Sequence, residues 1–526
     1  MQPARTGQAL NEPPQAPAGR SQAPGDRSQS DPRSQSAGDR QYLALPWYES
    51  LRPVMRGGHE VTLLDSGGEF FPALEAAISE ARQRIFLETY IFEDDRTGRR
   101  IAAALAAAAA RGVSVHVLVD GFGTQRQDGE WVSVIRDAGV SLETFRPERH
   151  RYALNRKRLR RLHRKLAVID GCVAFVGGLN VLDDYYDPNH GDIEFPRLDY
   201  AVRVRGPLVA HVHVAVARLW WELSVINRSL RRGGGGGRGG RGRSGASASA
   251  GADAGADARA DAADRGAADG RCADAGGSPG AGSSLGAGSS LGPGSGPGAG
   301  SRPAGSSSGA GRRGRGRGRM QLPESVVSDV TPVGSMRAAL MLRDNLRFRK
   351  TIERAYLKAI GRSRREVLIA CAYFFPGARF RRALTLAVKR GVRVRLLLQG
   401  KVEYKLQHYA SQALYEELLR AGIEIIEYRR SFLHAKAAVI DDWATVGSSN
   451  IDPFSLLLAR EANVVVQDAG FAQALRERIN EAIRTGGEPV VLQRHAQRPW
   501  PVRLMNRIAF VILRIGVALA GTPGRY

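Results

Sequence analysis

Apolar and polar residues follow two spacings along the chain, and both kinds of segment occur twice in the same order. Continuous apolar runs predict buried strands, and segments with helical spacing lie between them. The first set comprises Arg84–Phe92, a helix over 98–111 and Val113–Asp120, and the second comprises Glu366–Phe375, Phe380–Arg390 and Val392–Gln399. Strands that alternate with helices predict an α/β architecture with a mostly parallel sheet in each half.

Short sequence matches recur together with these elements. Arg-Gly-Val at 111–113 recurs at 390–392, and Ala-Gly-Val at 138–140 corresponds to Ala-Gly-Ile at 421–423. Matched landmarks in one order indicate an internal duplication. The predicted organisation is a disordered segment at 1–42, a first half at 43–230, a Gly/Arg/Ser-rich linker at 231–320, a second half at 321–492 and a tail at 493–526.

The tail is basic and contains Trp500 before an apolar run at Ile508–Ala520 that Arg514 interrupts. The run is too short to span a bilayer, but a basic and aromatic segment before an apolar helix suits insertion into a membrane interface. Packing on the core of the second half is the alternative. No leader peptide and no transmembrane helix are predicted, since no apolar run has the required length and position.

The charge of the chain favours polyanionic partners. Lys and Arg number 77 against 52 Asp and Glu, which gives a net charge of +25 and a pI near 10.7. Nucleic acid and an anionic membrane surface both fit this charge. The Arg-Gly repeats at the ends of 231–320 are typical of disordered RNA-binding tracts, although a solvated insertion without a partner is the simpler interpretation.

The pattern His-x-Lys-x4-Asp occurs twice, each time followed by a glycine turn that ends in asparagine. The first copy comprises His163, Lys165 and Asp170 with Asn180, and the second comprises His434, Lys436 and Asp441 with Asn450. One match could be accidental, but two matches that are each followed by a Gly-x-x-Asn turn are not. Because strands place alternate residues on one face, the histidine and lysine of each copy point the same way.

Two such copies that face each other complete a phosphoryl-transfer site. One neutral histidine can attack phosphorus, while the other, protonated, gives its proton to the leaving alcohol oxygen. The two lysines and the two asparagines would hold the non-bridging oxygens as charge rearranges. This chemistry requires no metal and the sequence shows no metal-ligand cluster, so we expect no cofactor.

Carboxylates complete the set of candidate active-site residues. Asp199 and Glu461, which follow the two glycine turns, can fix the tautomer of a histidine and support its imidazolium form. The motif aspartates Asp170 and Asp441 belong to the candidate catalytic residues, but each lies where a strand meets a turn. They can instead bind turn amides, and both interpretations stay open.

At these residues the sequence resembles the phospholipase D superfamily, whose signature is two His-x-Lys-x4-Asp motifs in one chain. It is similar in particular to the bacterial cardiolipin synthases of the B type, which lack N-terminal transmembrane helices. The resemblance covers about 43–230 and 321–490 and includes the turns Gly177–Asn180 and Gly447–Asn450. It departs at Gly178, which stands where the second turn has Ser448 and so removes a hydroxyl from one side of the expected phosphate site.

The resemblance implies two duplicated phospholipase D-like α/β sandwich halves that form one pseudo-dimeric catalytic unit. It implies a phosphohistidine intermediate, usually on the first-motif histidine, here His163, with His434 as the acid. The implied reaction is phosphatidyl transfer between two phosphatidylglycerol molecules, which gives cardiolipin and glycerol. The expected location is peripheral, on the cytoplasmic face of the bacterial cell membrane.

The sequence also suits a second function. A phospholipase D-type phosphodiesterase or nuclease, acting on other phospholipids or on nucleic acid, would use the same motifs and the same positive charge. The sequence leaves open which histidine is the nucleophile, what the linker does, and whether the acceptor is phosphatidylglycerol, phosphatidylethanolamine, glycerol or water. It does not set the oligomeric state.

Overall fold

The computed structural model describes residues 40–46, 49–125, 129–147, 160–188, 190–233, 325–344, 348–452 and 459–519. The predicted disordered segment at 1–42 and the predicted linker at 231–320 lie almost entirely outside the described residues. The domain boundaries therefore stay predictions.

The elements of the first half follow the predicted order of strands and helices. Its strands are β1 (Tyr42–Pro46), β2 (Arg56–Asp65), β3 (Arg84–Thr89), β4 (Ser114–Asp120), β5 (Ser141–Phe145), β6 (Leu166–Ile169), β7 (Val173–Gly177), β8 (Tyr186–Asp187), β9 (Gly191–Asp192) and β10 (Tyr200–Arg205). Its helices are α1 (Ser66–Glu80), α2 (Arg96–Ala110), α3 (Glu130–Asp137) and α4 (Leu208–Gly233).

The second half repeats that order from β12 onward. Its strands are β11 (Ser325–Asp329), β12 (Met336–Arg343), β13 (Glu366–Cys371), β14 (Arg393–Gln399), β15 (Glu424–Tyr428), β16 (Lys436–Ile440), β17 (Trp443–Gly447), β18 (Glu461–Gln467) and β19 (Gly487–Pro489). Its helices are α5 (Thr351–Arg362), α6 (Ala378–Lys389), α7 (Lys405–Gln412), α8 (Tyr415–Arg420), α9 (Ala469–Gly486), α10 (Leu492–Ala496) and α11 (Trp500–Leu519).

Within the described residues, one continuous sheet of 15 strands runs through both halves. Its order is β19-β15-β14-β13-β16-β17-β18-β12-β2-β10-β7-β6-β3-β4-β5. The halves join where β12 pairs antiparallel with β2, a pair that we call the seam, with Met336 opposite His59. Strand order on one side of the seam mirrors that on the other, as expected for duplicated halves.

The prediction of a mostly parallel sheet is wrong. Parallel pairing is confined to β3-β4-β5 in the first half and to β13-β14-β15 in the second. The motif strands β6 and β16 instead pair antiparallel with β7 and β17, their neighbours in sequence. The reason is the length of the connection, because a tight turn joins antiparallel strands whereas parallel strands need a long crossover.

The motif aspartates form these two tight turns. Asp170 and Asp441 have φ values of 51° and 52°, in the left-handed region that aspartate tolerates better than most residues. The side chain of Asp170 accepts hydrogen bonds from the backbone N–H groups of residues 82–84, and that of Asp441 from those of residues 364–366. Each carboxylate therefore ties its hairpin to the start of β3 or β13.

Helices cover both faces of the sheet. On one face, α4 and α9 lie over a hydrophobic core that continues through both halves and includes Val212 and Leu475. On the other face, the first half packs α1, α2 and α3 over its own core, and the second half packs α5 to α8 over another. This layered arrangement confirms the predicted α/β sandwich class.

The apolar run of the tail lies in α11, which packs against α7. Ala509 and Leu513 are buried in the second-half core, and the ring of Phe510 lies 5.3 Å from that of Phe375. The opposite face of the helix exposes large apolar side chains, namely Trp500, Leu504, Ile508, Val511, Ile512 and Ile515. In the part of the chain that the structure describes, no helix is long and apolar enough to cross a membrane.

Candidate active site

The two motif histidines come together because each motif segment hydrogen-bonds to the opposite half. The backbone N–H of His163 donates to the carbonyl of Arg460 over 3.0 Å. The backbone N–H of His434 donates to the carbonyl of Leu198 over 2.8 Å. These contacts hold the imidazoles close enough for the charge of one to affect the other.

Each imidazole also receives its carboxylate from the opposite half. His163 Nδ1 lies 3.1 Å from Glu461 Oε2, and His434 Nδ1 lies 2.7 Å from Asp199 Oδ2. Because a carboxylate accepts the Nδ1 proton, the lone pair of each neutral ring is on Nε2. Asp199 and Glu461 were found from the sequence, but this crossed pairing was not, because it depends on strand pairing at the seam.

Each motif lysine is buried and hydrogen-bonds to the backbone of its own histidine. Lys165 Nζ donates to the carbonyl of His163 over 2.9 Å, and Lys436 Nζ donates to the carbonyl of His434. Lys165 and Lys436 are 5% and 1% exposed, so their charges are poorly hydrated. Burial lowers the pKa of Lys165 to about 7 and also lowers the pKa of Lys436.

Burial similarly favours the neutral forms of the other groups. It lowers the pKa of His163, against the opposing effect of Glu461, and lowers that of His434 well below its usual value, with Lys436 and Lys165 adding to the effect. Burial raises the pKa of Asp199 to about 6, against the nearby charge of Lys436. A phosphodiester anion between the two lysines would compensate their positive charge and favour imidazolium.

The asparagines that end the glycine turns are held by their side-chain oxygens. Asn180 Oδ1 accepts a hydrogen bond from the Ile91 N–H over 3.1 Å, and Asn450 Oδ1 accepts one from the Tyr373 N–H over 3.3 Å. With each side-chain oxygen engaged in this way, the Nδ2 group is the part of the amide that can donate to a ligand.

The motif aspartates are not brought into this site. Asp170 and Asp441 each follow their lysine by five residues along an extended strand, which is about 17 Å at 3.3 Å per residue. Their carboxylates bind backbone N–H groups at the far end of the strand. Their geometry fits the alternative in which they hold turn amides.

The glycine turns differ in a way that the sequence did not explain. Ser448 Oγ donates to Glu461 Oε2 over 2.5 Å, so this hydroxyl supports the carboxylate partner of His163. A Cβ added at Gly178 would lie 2.2 Å from Asp199 Oδ1. The first turn therefore needs glycine to leave room for Asp199, whose Oδ1 instead accepts from the Tyr200 N–H over 2.8 Å.

Two further residues that the sequence analysis missed position the histidine segments. Asp120 Oδ2 accepts a hydrogen bond from the Leu162 N–H over 2.8 Å. Gln399 Oε1 accepts one from the Leu433 N–H over 2.9 Å. Asp120 and Gln399 end the equivalent strands β4 and β14, and alignment of the repeated strands could have identified them.

Among the described residues, no three His, Cys, Asp or Glu side chains are grouped so that they could hold a metal ion. Among the described residues, the charged groups that act on the two imidazoles include the lysines, the crossed carboxylates and, for His434, Arg197.

We expect Gly178→Ala to lower the thermal unfolding midpoint, because overpacking a buried site costs about 1–3 kcal/mol and Asp199 would be displaced. Gly361→Ala is the control, since its Cβ meets no atom within 4 Å and alanine favours the helix α5. Its midpoint should be unchanged or higher. Circular dichroism melts of both variants measure this, and equal midpoints would contradict the steric role of Gly178.

A family model for the "cardiolipin synthase, PLD-like domain" matches residues 74–193 and 356–483, one match in each half. Cardiolipin synthase B of Escherichia coli strain K12 is 34% identical over 478 residues, which cover 89% of this chain and 90% of that protein. Cardiolipin synthase A of Pseudomonas putida strain GB-1 is 25% identical over 445 residues, covering 84% of this chain and 72% of that protein.

A solved structure shows the same fold at low identity. The phosphatidylserine synthase of Haemophilus influenzae Rd KW20 superposes with a TM-score of 0.54 at 13% identity, covering 91% of this chain and 96% of that one. The matched sequence and the repeated fold agree with the resemblance expected from the two motifs. The chain belongs to the cardiolipin synthase family of phospholipase D-like proteins.

Proposed function

We propose that this chain is a cardiolipin synthase, a phosphatidyltransferase that converts two phosphatidylglycerol molecules into cardiolipin and glycerol. The observation that carries the proposal is the pair of imidazoles, each hydrogen-bonded to a carboxylate of the other half, with a buried lysine bound to the backbone carbonyl of each histidine. The 34% identity to cardiolipin synthase B of Escherichia coli supports the choice of lipid substrate.

In the first step, His163 Nε2 attacks the phosphorus of one phosphatidylglycerol. A nitrogen–phosphorus bond forms, the bond from phosphorus to the glycerol oxygen breaks, and His434 gives its proton to that oxygen. Glu461 holds the Nδ1 proton of His163 and supports the positive charge that the ring acquires. The assignment of His163 as the nucleophile rests on the resemblance to the superfamily.

In the second step, a glycerol hydroxyl of another phosphatidylglycerol attacks the phosphohistidine. The nitrogen–phosphorus bond breaks, and His434 takes the proton of the hydroxyl, so both imidazoles return to their starting states. In both transition states the two motif lysines offset negative charge on the non-bridging oxygens, and the Nδ2 groups of the two asparagines donate hydrogen bonds to them. Buried donors of this kind act in a medium of low polarity, where their effect is larger than in water.

We expect purified protein to form cardiolipin and glycerol from phosphatidylglycerol vesicles in excess chelator, and we expect His163→Ala and His434→Ala to abolish the reaction. Mass spectrometry of the lipid products measures this. Phosphatidic acid as the sole product would mean that water is the acceptor. Turnover of nucleic acid with no lipid product would overturn the proposal in favour of a nuclease.

Because Asp199 pairs with His434 and Glu461 with His163, variants of the two carboxylates should differ in whether a substrate with a better leaving group restores activity. Asp199→Asn should impair proton donation by His434 by about 10²–10⁴-fold. A phosphatidyl ester of p-nitrophenol should restore the rate of the first turnover, because that leaving group needs no proton, whereas the second step still needs His434 as base. Glu461→Gln should impair attack by His163, and the same ester should not restore it. Release of p-nitrophenol by the two variants, compared with glycerol release, measures this. Rescue of Glu461→Gln rather than Asp199→Asn would exchange the roles of the two histidines.

The pKa values predict a narrow bell-shaped dependence of kcat/KM on pH. Below pH 6, Asp199, whose pKa burial raises to about 6, is protonated and no longer supports His434. Above pH 7, Lys165, whose pKa burial lowers to about 7, loses the charge that binds phosphate. We therefore expect a maximum between about pH 6 and 7, where the bound phosphodiester anion keeps His434 protonated against the effect of burial on its pKa. Lys165→Arg should move the alkaline limb upward, because arginine stays protonated. A profile flat from about pH 5 to 9 would contradict this assignment.

We further infer that α11 binds the surface of an anionic membrane. Its exposed face carries Ile508, Val511, Ile512 and Ile515, each about half exposed, while the other face packs on the second half. The exposed arginines of the same helix, Arg503, Arg507 and Arg514, can contact lipid phosphates. An apolar face beside basic residues suits insertion at the headgroup level of a bilayer. The expected location is the cytoplasmic face of the bacterial membrane.

Replacing Ile512 and Ile515 together by aspartate should weaken binding to phosphatidylglycerol vesicles at least tenfold. The physical reason is the loss of about 1.5–3 kcal/mol per apolar side chain transferred into lipid. The control carries aspartate at Val134 and Leu386, two exposed apolar positions on α3 and α6, so its charge is the same. Vesicle co-sedimentation measures binding, and equal affinities of the two double variants would contradict a role for α11.

A further inference from the structure

The aromatic ring of Tyr90 lies against the imidazole of His163. The two ring centroids are 4.9 Å apart, and the ring planes are inclined by 59°. Lys165 Nζ lies over the same ring, 5.4 Å from its centroid. One aromatic ring therefore contacts both the histidine that we assign as the nucleophile and the lysine of the same motif.

Two residues that follow β4 hold Tyr90 in this position. Thr124, which is 1% exposed, donates its hydroxyl hydrogen to the carbonyl of Tyr90 over 3.1 Å. A Cβ added at Gly123 would lie 2.8 Å from both Cδ2 and Cε2 of the tyrosine ring, so glycine is needed for the ring to approach the backbone this closely. The contact between Tyr90 and His163 is therefore built into the fold of the first half.

The equivalent place in the second half has alanine. The residues whose N–H groups bind the two turn asparagines are equivalent, and the residues before them are Tyr90 in the first half and Ala372 in the second. Three residues after the ends of β4 and β14, the counterpart of Gly123 is Val402. Tyrosine with glycine is thus replaced by alanine with valine, and an alanine side chain cannot present an aromatic face to His434.

This difference matters because positive charge moves between the imidazoles in the first step of the reaction. His434 begins protonated and ends neutral. His163 begins neutral and ends as a phosphohistidine whose Nδ1 keeps its proton, so that ring becomes a cation. The face of an aromatic ring attracts cations, most strongly where water is excluded. A ring at His163, with alanine at the equivalent place in the other half, therefore favours the charge distribution of the covalent intermediate.

We propose that Tyr90 is a positioning residue of the reaction, which holds the imidazole of His163 for attack on phosphorus and stabilises the positive charge of the phosphohistidine. The inference rests on the proposed function, because it needs a covalent intermediate. It gives the two histidines different environments, and that difference favours His163 as the nucleophile, a choice that the sequence left open. Because Lys165 shares the ring, Tyr90 also favours the charged form of this lysine.

Fluorination of the ring tests the effect of charge with little change of shape. Each fluorine withdraws electron density from the ring face, so the attraction for a cation falls while the size of the ring is nearly kept. In the full chain, Tyr90 is replaced by phenylalanine and by its monofluoro, difluoro and trifluoro derivatives. The substrate is the phosphatidyl ester of p-nitrophenol in vesicles with excess chelator, and the first turnover of p-nitrophenol release measures attack by His163.

We expect the rate constant of the first turnover to fall steadily from phenylalanine to trifluorophenylalanine. Tyr90→Ala should lower it about threefold to thirtyfold, the range that a cation–π contact supplies. Breakdown of the intermediate by added glycerol should not slow, because loss of a group that stabilises the intermediate raises its energy. A rate constant does not depend on the fraction of a variant that is folded. Peptide mass spectrometry after an alkaline quench should find the phosphatidyl group on His163.

Two controls separate charge from packing. Tyr356 on α5 is buried with the ring of Phe380 5.8 Å away at 55°, so the same phenylalanine series there changes a ring of similar aromatic geometry. The rate constant should stay the same throughout that series. Gly123→Ala, which displaces the ring of Tyr90, should lower the rate constant as Tyr90→Ala does, whereas Gly361→Ala should not.

A rate constant that is insensitive to fluorination at position 90, or that rises with it, would overturn the role of Tyr90. Covalent attachment of the phosphatidyl group to His434 would also overturn it, since the cation would then form away from this ring. If the wild type released no p-nitrophenol and formed no cardiolipin, the proposed function itself would be wrong, and the role of Tyr90 with it.

Discussion

The hydrogen bonds that cross between the halves are the interaction on which the rest of the structure depends. The carboxylates of Glu461 and Asp199 are removed from water at the centre of the molecule, and each is held by an imidazole from the other half. Removing one partner of such a buried pair typically costs about 3–5 kcal/mol, because the other group is left uncompensated. The two halves therefore supply each other's polar partners as well as hydrophobic contacts.

The continuous sheet fixes the positions at which each half supplies a carboxylate to the histidine of the other. Pairing of β2 with β12 sets the register between the halves, and the core under α4 and α9 passes through both of them without a break. Protein cores are packed closely enough that displacement at the seam would be transmitted to neighbouring side chains. Two imidazoles that act on opposite sides of one phosphorus atom must stay at a fixed separation, and the seam provides it.

Much of this arrangement could be predicted from the sequence. The repeated spacing located His163 and His434, and the alternation of strands and helices indicated the α/β class, because both signals are local. The sheet was predicted to be mostly parallel but is mostly antiparallel, and the crossed carboxylates were not predicted, since strand pairing brings together residues far apart in the chain. The steric need for Gly178 was also hidden, because it depends on where Asp199 lies in space.

The crossed pairing has a consequence for the duplication. Each copy of the repeat contains a histidine and a carboxylate that pair with the other copy and not with each other, so one copy alone cannot form either pair. Because both copies lie in one chain, each position is free to differ between the halves. The present differences between Asp199 and Glu461, Gly178 and Ser448, and Asp120 and Gln399 are differences that a symmetric homodimer could not have encoded.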